Sequence, residues 1–157
     1  MHAKDAVLIN FVKGSNSIEG INRAPLKEEI DAHVKFLNLR DRRITVDDLC
    51  EFVSVVANRP LRMNYGDDVY VGSHTPPPGG PEIKEELEDL LFHIQTYGIS
   101  PYQAHVNYEL LHPFMDGNGR SGRVLWAYHM MLEGHDPFVL SFLHLFYYQS
   151  LDAARRP

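Results

Sequence analysis

His112, Asp116, Arg120 and Arg123 fall within one run of twelve residues, His112-Pro113-Phe114-Met115-Asp116-Gly117-Asn118-Gly119-Arg120-Ser121-Gly122-Arg123. An imidazole titrates near neutrality and can take the proton of a hydroxyl. A carboxylate such as Asp116 is an oxygen ligand for a hard cation. Three glycines and an asparagine let the main chain turn where a side chain would clash, and leave N–H groups free to face a ligand. Helix-forming patterns flank the run, so it reads as a tight loop entering a new helix. The N-terminus of that helix offers unpaired donors and partial positive charge to an anion. Arg120 and Arg123, three residues apart, can share one face of it. Phosphate donors, a cation ligand and a base together point to a magnesium-bound nucleotide.

Other readings of the same residues fail on spacing. Asp116-Gly117-Asn118-Gly119 opens like a calcium loop, but Arg120 takes a ligand position, Ser121 replaces the turn glycine and Ala127 stands where a bidentate glutamate is needed. There is no Walker lysine, and no His-Glu-x-x-His or paired-cysteine pattern supports zinc. Nine histidines are present; His93, His105 and His129 lie inside helical patterns and receive no role.

The run resembles the signature of Fic-domain proteins, His-Pro-Phe-x-(Asp/Glu)-Gly-Asn-Gly-Arg-x-x-Arg, and every specified position matches. Upstream, Ser15-Asn16-Ser17-Ile18-Glu19-Gly20 resembles that family's inhibitory motif, (Ser/Thr)-x-x-x-Glu-(Gly/Asn), with Ser15, Glu19 and Gly20 at the specified places. The resemblance implies an all-α Fic fold with a small β-hairpin flap. It implies that His112 deprotonates a hydroxyl of a target protein, and that Asp116 holds Mg2+ bridging the α- and β-phosphates of ATP. Gly117, Asn118 and Gly119 would line the anion loop, with Arg120 near the β-phosphate, Arg123 reaching the γ-phosphate and Phe114 anchoring the loop in the core. The family's usual reaction transfers AMP from ATP to a protein side chain and releases pyrophosphate. In the N-terminal, self-inhibited class that this sequence resembles, the glutamate pairs with the second arginine. One guanidinium fork then serves a carboxylate or a phosphate, but not both. Alternatives are transfer of a different phosphate-linked group, removal of the modification with Glu19 positioning water, and, outside enzymes, a nucleotide-responsive module that grips a protein without modifying it.

The elements that must position these residues follow from periodicity. Val7, Leu8, Phe11, Val12 and Ile18 form the stripe of a helix over about 5–19, with a bend expected at Gly14. A carboxylate at 19 would face the unfavourable end of that helix's dipole, which favours a partner elsewhere. Pro25 opens a helix over 26–39 with Ile30, Val34, Phe36 and Leu37 inward. Arg40 to Arg43 is a charged connector. Thr45 caps a third helix carrying Leu49, Phe52, Val53 and Val56, which stops before Pro60.

Leu61 to Gly72 reads as a β-hairpin turning at Tyr65-Gly66-Asp67-Asp68, with Val69, Tyr70, Val71 and Gly72 on the strand that would dock a target peptide by edge pairing. Pro76 to Gly80 is a stiff turn, and Pro81 opens a helix to about Tyr97 with Ile83, Leu87, Leu90, Leu91 and Ile94 inward. Ser100-Pro101 starts the helix with Ala104, Val106, Tyr108, Leu110 and Leu111 that leads into the run. After the run, Val124, Leu125, Tyr128, Met131 and Leu132 belong to a helix that is apolar around much of its circumference and should be central, stopping at Gly134. A last aromatic-rich helix is expected over 139–153.

A chain of 157 residues with no linker or repeat reads as a single domain, and 44% hydrophobic with 23% charged residues is an ordinary globular composition. The net charge of −6 argues against nucleic acid as a partner. A lone cysteine, Cys50, among apolar residues reads as a buried thiol rather than a nucleophile, and fits a reducing compartment. No apolar run approaches membrane-spanning length and no leader pattern opens the chain, so cytoplasmic residence is expected. The partner is an unspecified target protein, and a homo-oligomer stays open.

Overall fold

Helix starts follow the local chemistry. In the computed structural model, which describes residues 3–138, α1 spans Ala3–Ile18, α2 Lys27–Leu37, α3 Val46–Val56, α4 Pro81–Gln95, α5 Pro101–Leu111 and α6 Asn118–Leu132. Thr45 caps α3 reciprocally: its hydroxyl accepts the Asp48 N–H at 3.4 Å and the Asp48 carboxylate accepts the Thr45 N–H at 2.8 Å. The Ser100 hydroxyl accepts the Gln103 N–H at 3.2 Å, and Pro81 and Pro101 occupy the first turns of α4 and α5, where a missing N–H costs nothing. Among the described residues no helix is long and apolar enough to cross a membrane.

α6 is the hub. It packs against each of the other five helices, and Val124, Leu125, Ala127 and Tyr128 are all buried. The expected inward faces of α3 and α4 are buried as read, including Leu49, Phe52, Val53, Val56, Ile83, Leu87, Leu90, Leu91 and Ile94.

α1 runs unbroken through Gly14. Only Phe11 and Val12 of its apolar stripe are fully buried, joined by the polar Ser15 and Asn16; Val7 is exposed. α2 departs further. It starts two residues after Pro25, with the Glu29 carboxylate accepting the Leu26 N–H at 2.8 Å, and ends at Leu37 with a single 3-10 turn at Leu39–Asp41 beyond it. Its buried face holds Glu29, His33, Phe36 and Leu37, while Val34 is exposed. Pressed between α1, α3 and α6, α2 turns this mixed face inward. Cys50 is half-buried, and burial pushes its thiol up, away from thiolate chemistry.

The segment over 61–72 is corrected. No strand ladder forms there; its first residues pair instead with the loop that precedes α6, and the rest closes on local turns. Leu61 makes an isolated antiparallel bridge with Phe114, the Arg62 N–H donates to the Pro113 carbonyl at 2.9 Å, and the Met115 N–H donates to the Pro60 carbonyl at 3.0 Å. A turn closes from Asn64 to Asp67, near its expected place. A second reversal joins Val71 to His74, with Gly72 at φ +59° between them. Val69 and Val71 are half-buried, whereas Tyr70 and Gly72 are exposed. The helix expected over 139–153 lies outside the described residues.

Two stability outcomes follow. Leu87 is wholly buried, so Leu87→Ala should cost about 2–5 kcal/mol in urea unfolding. His33 is 0% exposed between the rings of Phe11 and Phe52, with Nδ1 donating to the Glu29 carbonyl at 2.6 Å. Burial above all holds its pKa down, at about 4, and the charges of Arg123 and Arg120 push the same way. The folded chain therefore binds fewer protons than the unfolded chain between the ordinary value of 6.5 and about 4. Stability is full above the upper value and falls as pH drops through that window. His33→Phe should remove on the order of 2–3 kcal/mol of the difference in unfolding free energy between pH 7 and pH 4; an unchanged pH dependence would show that the ring is not held neutral.

Candidate active site

The run over 112–123 is folded as a loop between α5 and α6 and braced from inside. His112 closes α5, with its N–H on the Tyr108 carbonyl at 2.9 Å and its main chain in the left-handed region at φ 49°, ψ 62°. Pro113 and Phe114 are buried, Phe114 completely. The Asn118 side chain is spent on the loop itself: Oδ1 accepts the Phe114 N–H and Nδ2 donates to the Phe114 carbonyl, both at 2.8 Å. Ser121, a position the signature leaves open, donates to the Gly117 carbonyl at 2.7 Å and lies 2.6 Å from the Tyr108 hydroxyl. Nothing in the spacing singles out Ser121.

Gly117 precedes α6 at φ +84°, and a Cβ there would lie 2.9 Å from the Cβ of Ala57. A glycine is required on both counts. The first N–H groups of α6, on Asn118, Gly119 and Arg120, therefore open at the loop, as the N-terminus of a helix leaves them. This is an anion cradle made of main chain, and Asn118 joins it through its N–H rather than its amide.

An anion is already present there. Glu19 lies just past the end of α1, and its Oε1 is 2.7 Å from Arg123 Nη2. The same oxygen would be 2.1 Å from a Cβ placed on Gly119. The carboxylate thus rests on the bare Cα face of Gly119, at the start of α6. Arg123 is 1% exposed, and α1 supplies further acceptors: Nε donates to the Ser15 hydroxyl at 2.8 Å and Nη2 to the Ser15 carbonyl at 2.9 Å. Gly20 follows, its N–H on the Ser17 carbonyl at 3.0 Å, and the Asn16 carbonyl accepts from both Glu19 and Ile21. Ser15 and Glu19, far apart from Arg123 in sequence, thus meet on one guanidinium.

Arg120 is buried and turned the other way, with Nη1 on the Val56 carbonyl at the end of α3, where the helix dipole is negative. Asp116 is exposed, and one carboxylate oxygen accepts the Gly117 N–H at 2.7 Å. Among the described residues no group of three His, Cys, Asp or Glu side chains could cage a metal ion. Magnesium does not need such a cage: one carboxylate with phosphate and water oxygens suffices, and Asp116 beside the α6 cradle fits that mode.

Sequence reasoning missed Arg62. It is 0% exposed and donates from Nε to the His112 carbonyl at 2.7 Å and from Nη2 to the Leu111 carbonyl at 2.8 Å. Of the histidines given no role, two are embedded, with His105 Nδ1 3.2 Å from the Gly122 carbonyl and His129 1% exposed, while His93 is exposed on α4.

Known proteins resemble this chain in sequence. The sequence profile of the Fic/DOC family covers residues 43–130. "Protein adenylyltransferase Fic" of Culex quinquefasciatus is 34% identical over 140 residues, taking in 80% of this chain and 28% of that protein. "Protein adenylyltransferase fic-1" of Caenorhabditis elegans is 34% identical over 143 residues with the same coverage. The chain therefore spans little more than a quarter of the length of these relatives. On the extent of the family match and on those identities, this chain belongs to the Fic/DOC family.

Proposed function

We propose that the domain transfers AMP from ATP to a hydroxyl side chain of a target protein, and that Glu19 restrains the transfer by holding Arg123. One observation carries the reading: a carboxylate of the chain's own lies on Gly119 at the start of α6 and is paired with Arg123. A site that accepts that anion so closely is shaped for phosphate oxygens. The names of the relatives, protein adenylyltransferases, support the choice of reaction.

In this reading His112 takes the target hydroxyl proton as the hydroxyl oxygen attacks the α-phosphorus. The bond from that phosphorus to the bridging oxygen breaks, and pyrophosphate leaves with the electron pair. The N–H groups of Gly119 and its neighbours, with Arg123, hold the triphosphate in line, so positioning and charge neutralisation supply most of the acceleration. Arg120, anchored on α3, adds positive potential behind the loop. Asp116 would hold magnesium, which when bound neutralises charge on the α- and β-phosphates. With Glu19 in place, Arg123 and the face of Gly119 are occupied and the γ-phosphate has no seat. The target would meet the site along 61–74, through exposed Tyr70 and the half-buried Val69 and Val71 beside Gly72.

Incubation with ATP carrying separate labels on the α- and γ-phosphorus tests the reaction. Glu19→Gly should raise α-label incorporation about tenfold or more, since each 1.4 kcal/mol of competing interaction is worth a factor of ten. Equal rates for the variant and the parent would defeat the restraint. Incorporation should vanish in Glu19→Gly, His112→Ala; γ-label on protein would instead mark transfer of phosphate.

A further inference from the structure

Arg62 lies fifty residues before His112 and outside the matched signature, yet it grips the end of α5 from beneath. Its guanidinium makes four bonds, all to main-chain carbonyls: His112 at 2.7 Å, Leu111 at 2.8 Å, Asp67 at 3.0 Å and Pro77 at 2.8 Å. Its own main chain is fixed as well, its N–H on the Pro113 carbonyl and its carbonyl taking the Gly80 N–H at 3.0 Å. Burial pulls its pKa down, while the charges of Asp67 and Asp68 partly offset this. An apolar side chain could fill the same volume without that desolvation cost. What a planar guanidinium adds is the fixed direction of several carbonyls at once.

Two of those carbonyls belong to the residues that aim the candidate base. His112 has the left-handed backbone that non-glycine residues seldom adopt, so its conformation needs outside support. A bond from Nε to the carbonyl of that same residue supplies it. Of the other two carbonyls, that of Asp67 lies in the segment proposed to face the target and that of Pro77 just beyond it.

We infer that Arg62 is a positioning residue for the transfer: it fixes the main chain of His112, and with it the direction of the imidazole, and it joins the 61–80 segment to the base as one rigid piece. The inference rests on the reading in which His112 is the base. The Arg62 side chain is wholly buried and bonds only main-chain carbonyls, so its loss acts on the chemical step while the phosphate cradle of α6 stays intact.

The test uses the full chain carrying Glu19→Gly, with Arg62→Lys and Arg62→Gln added separately. Lysine keeps the charge but not the fork, and glutamine keeps a planar group with fewer donors. Rates are taken per folded molecule, from circular dichroism melts, and ATP affinity is measured by calorimetry. A displaced base costs about 100-fold for a shift near 1 Å, so kcat should fall at least about tenfold in both variants, while Kd for ATP stays within about twofold. Arg62→Ala with millimolar guanidinium added should recover part of the loss. An unchanged kcat per folded molecule in Arg62→Lys overturns the inference, as does a fall in kcat matched by an equal loss of ATP affinity. An inactive Glu19→Gly parent is a separate result: it removes the transferase reading itself, and the role of Arg62 with it.

Discussion

A guanidinium closed off from water must find acceptors inside the protein, and Arg123 finds them on a helix more than a hundred residues earlier in the chain. Its position on α6 puts it in the hub of the bundle, where water cannot solvate it. Leaving such a charge without acceptors costs far more than a surface ion pair gains. Ser15 contributes a hydroxyl and a carbonyl, both from the wholly buried side of α1, and Glu19 contributes a carboxylate that is still 36% exposed. The two partners are therefore unequal. Ser15 keeps Arg123 satisfied as part of the fold, whereas the carboxylate can be exchanged for another anion without stripping the guanidinium of all its bonds.

The same economy of placement runs through the loop. Asn118 and Ser121 are spent on its shape, the first on Phe114 and the second on Gly117 and Tyr108. With those two side chains committed inward, the start of α6 presents N–H groups and the bare face of Gly119 to an anion. A surface made of main chain cannot rotate away as a lysine would, so the site is organised before any ligand arrives. Arg62 extends this bracing one layer deeper, to the carbonyls behind His112.

Much of this was legible in the sequence where one physical rule dominates. The caps at Thr45 and Ser100, the prolines opening α4 and α5, the inward faces of α3 and α4 and the central place of α6 follow from hydrogen-bonding chemistry and period alone. The site run was legible because glycines, a carboxylate, an imidazole and two arginines so closely spaced have few structural uses. Long-range competition hid the rest. Glu29 and His33 are buried because α2 is hemmed in on three sides, which its own periodicity does not reveal. The hairpin expected over 61–72 gave way where Leu61 and Arg62 pair with Phe114 and Pro113, a pairing that local turn residues cannot report. Arg62 left no trace in the sequence, since a cation that binds only carbonyls needs no partner of recognisable type.

Glu19 and the arginine it contacts belong to one chain, on helices that pack as one bundle. Its concentration at Arg123 is accordingly a property of the tether and does not depend on how many molecules share a volume. Diluting the protein leaves that occupancy untouched, and any free anion that competes for Arg123 meets a neighbour that never diffuses away. An agent that separates Glu19 from Arg123 therefore either outcompetes the carboxylate as an anion or shifts the seating of α1, because a change in abundance alone reaches neither side of the pair.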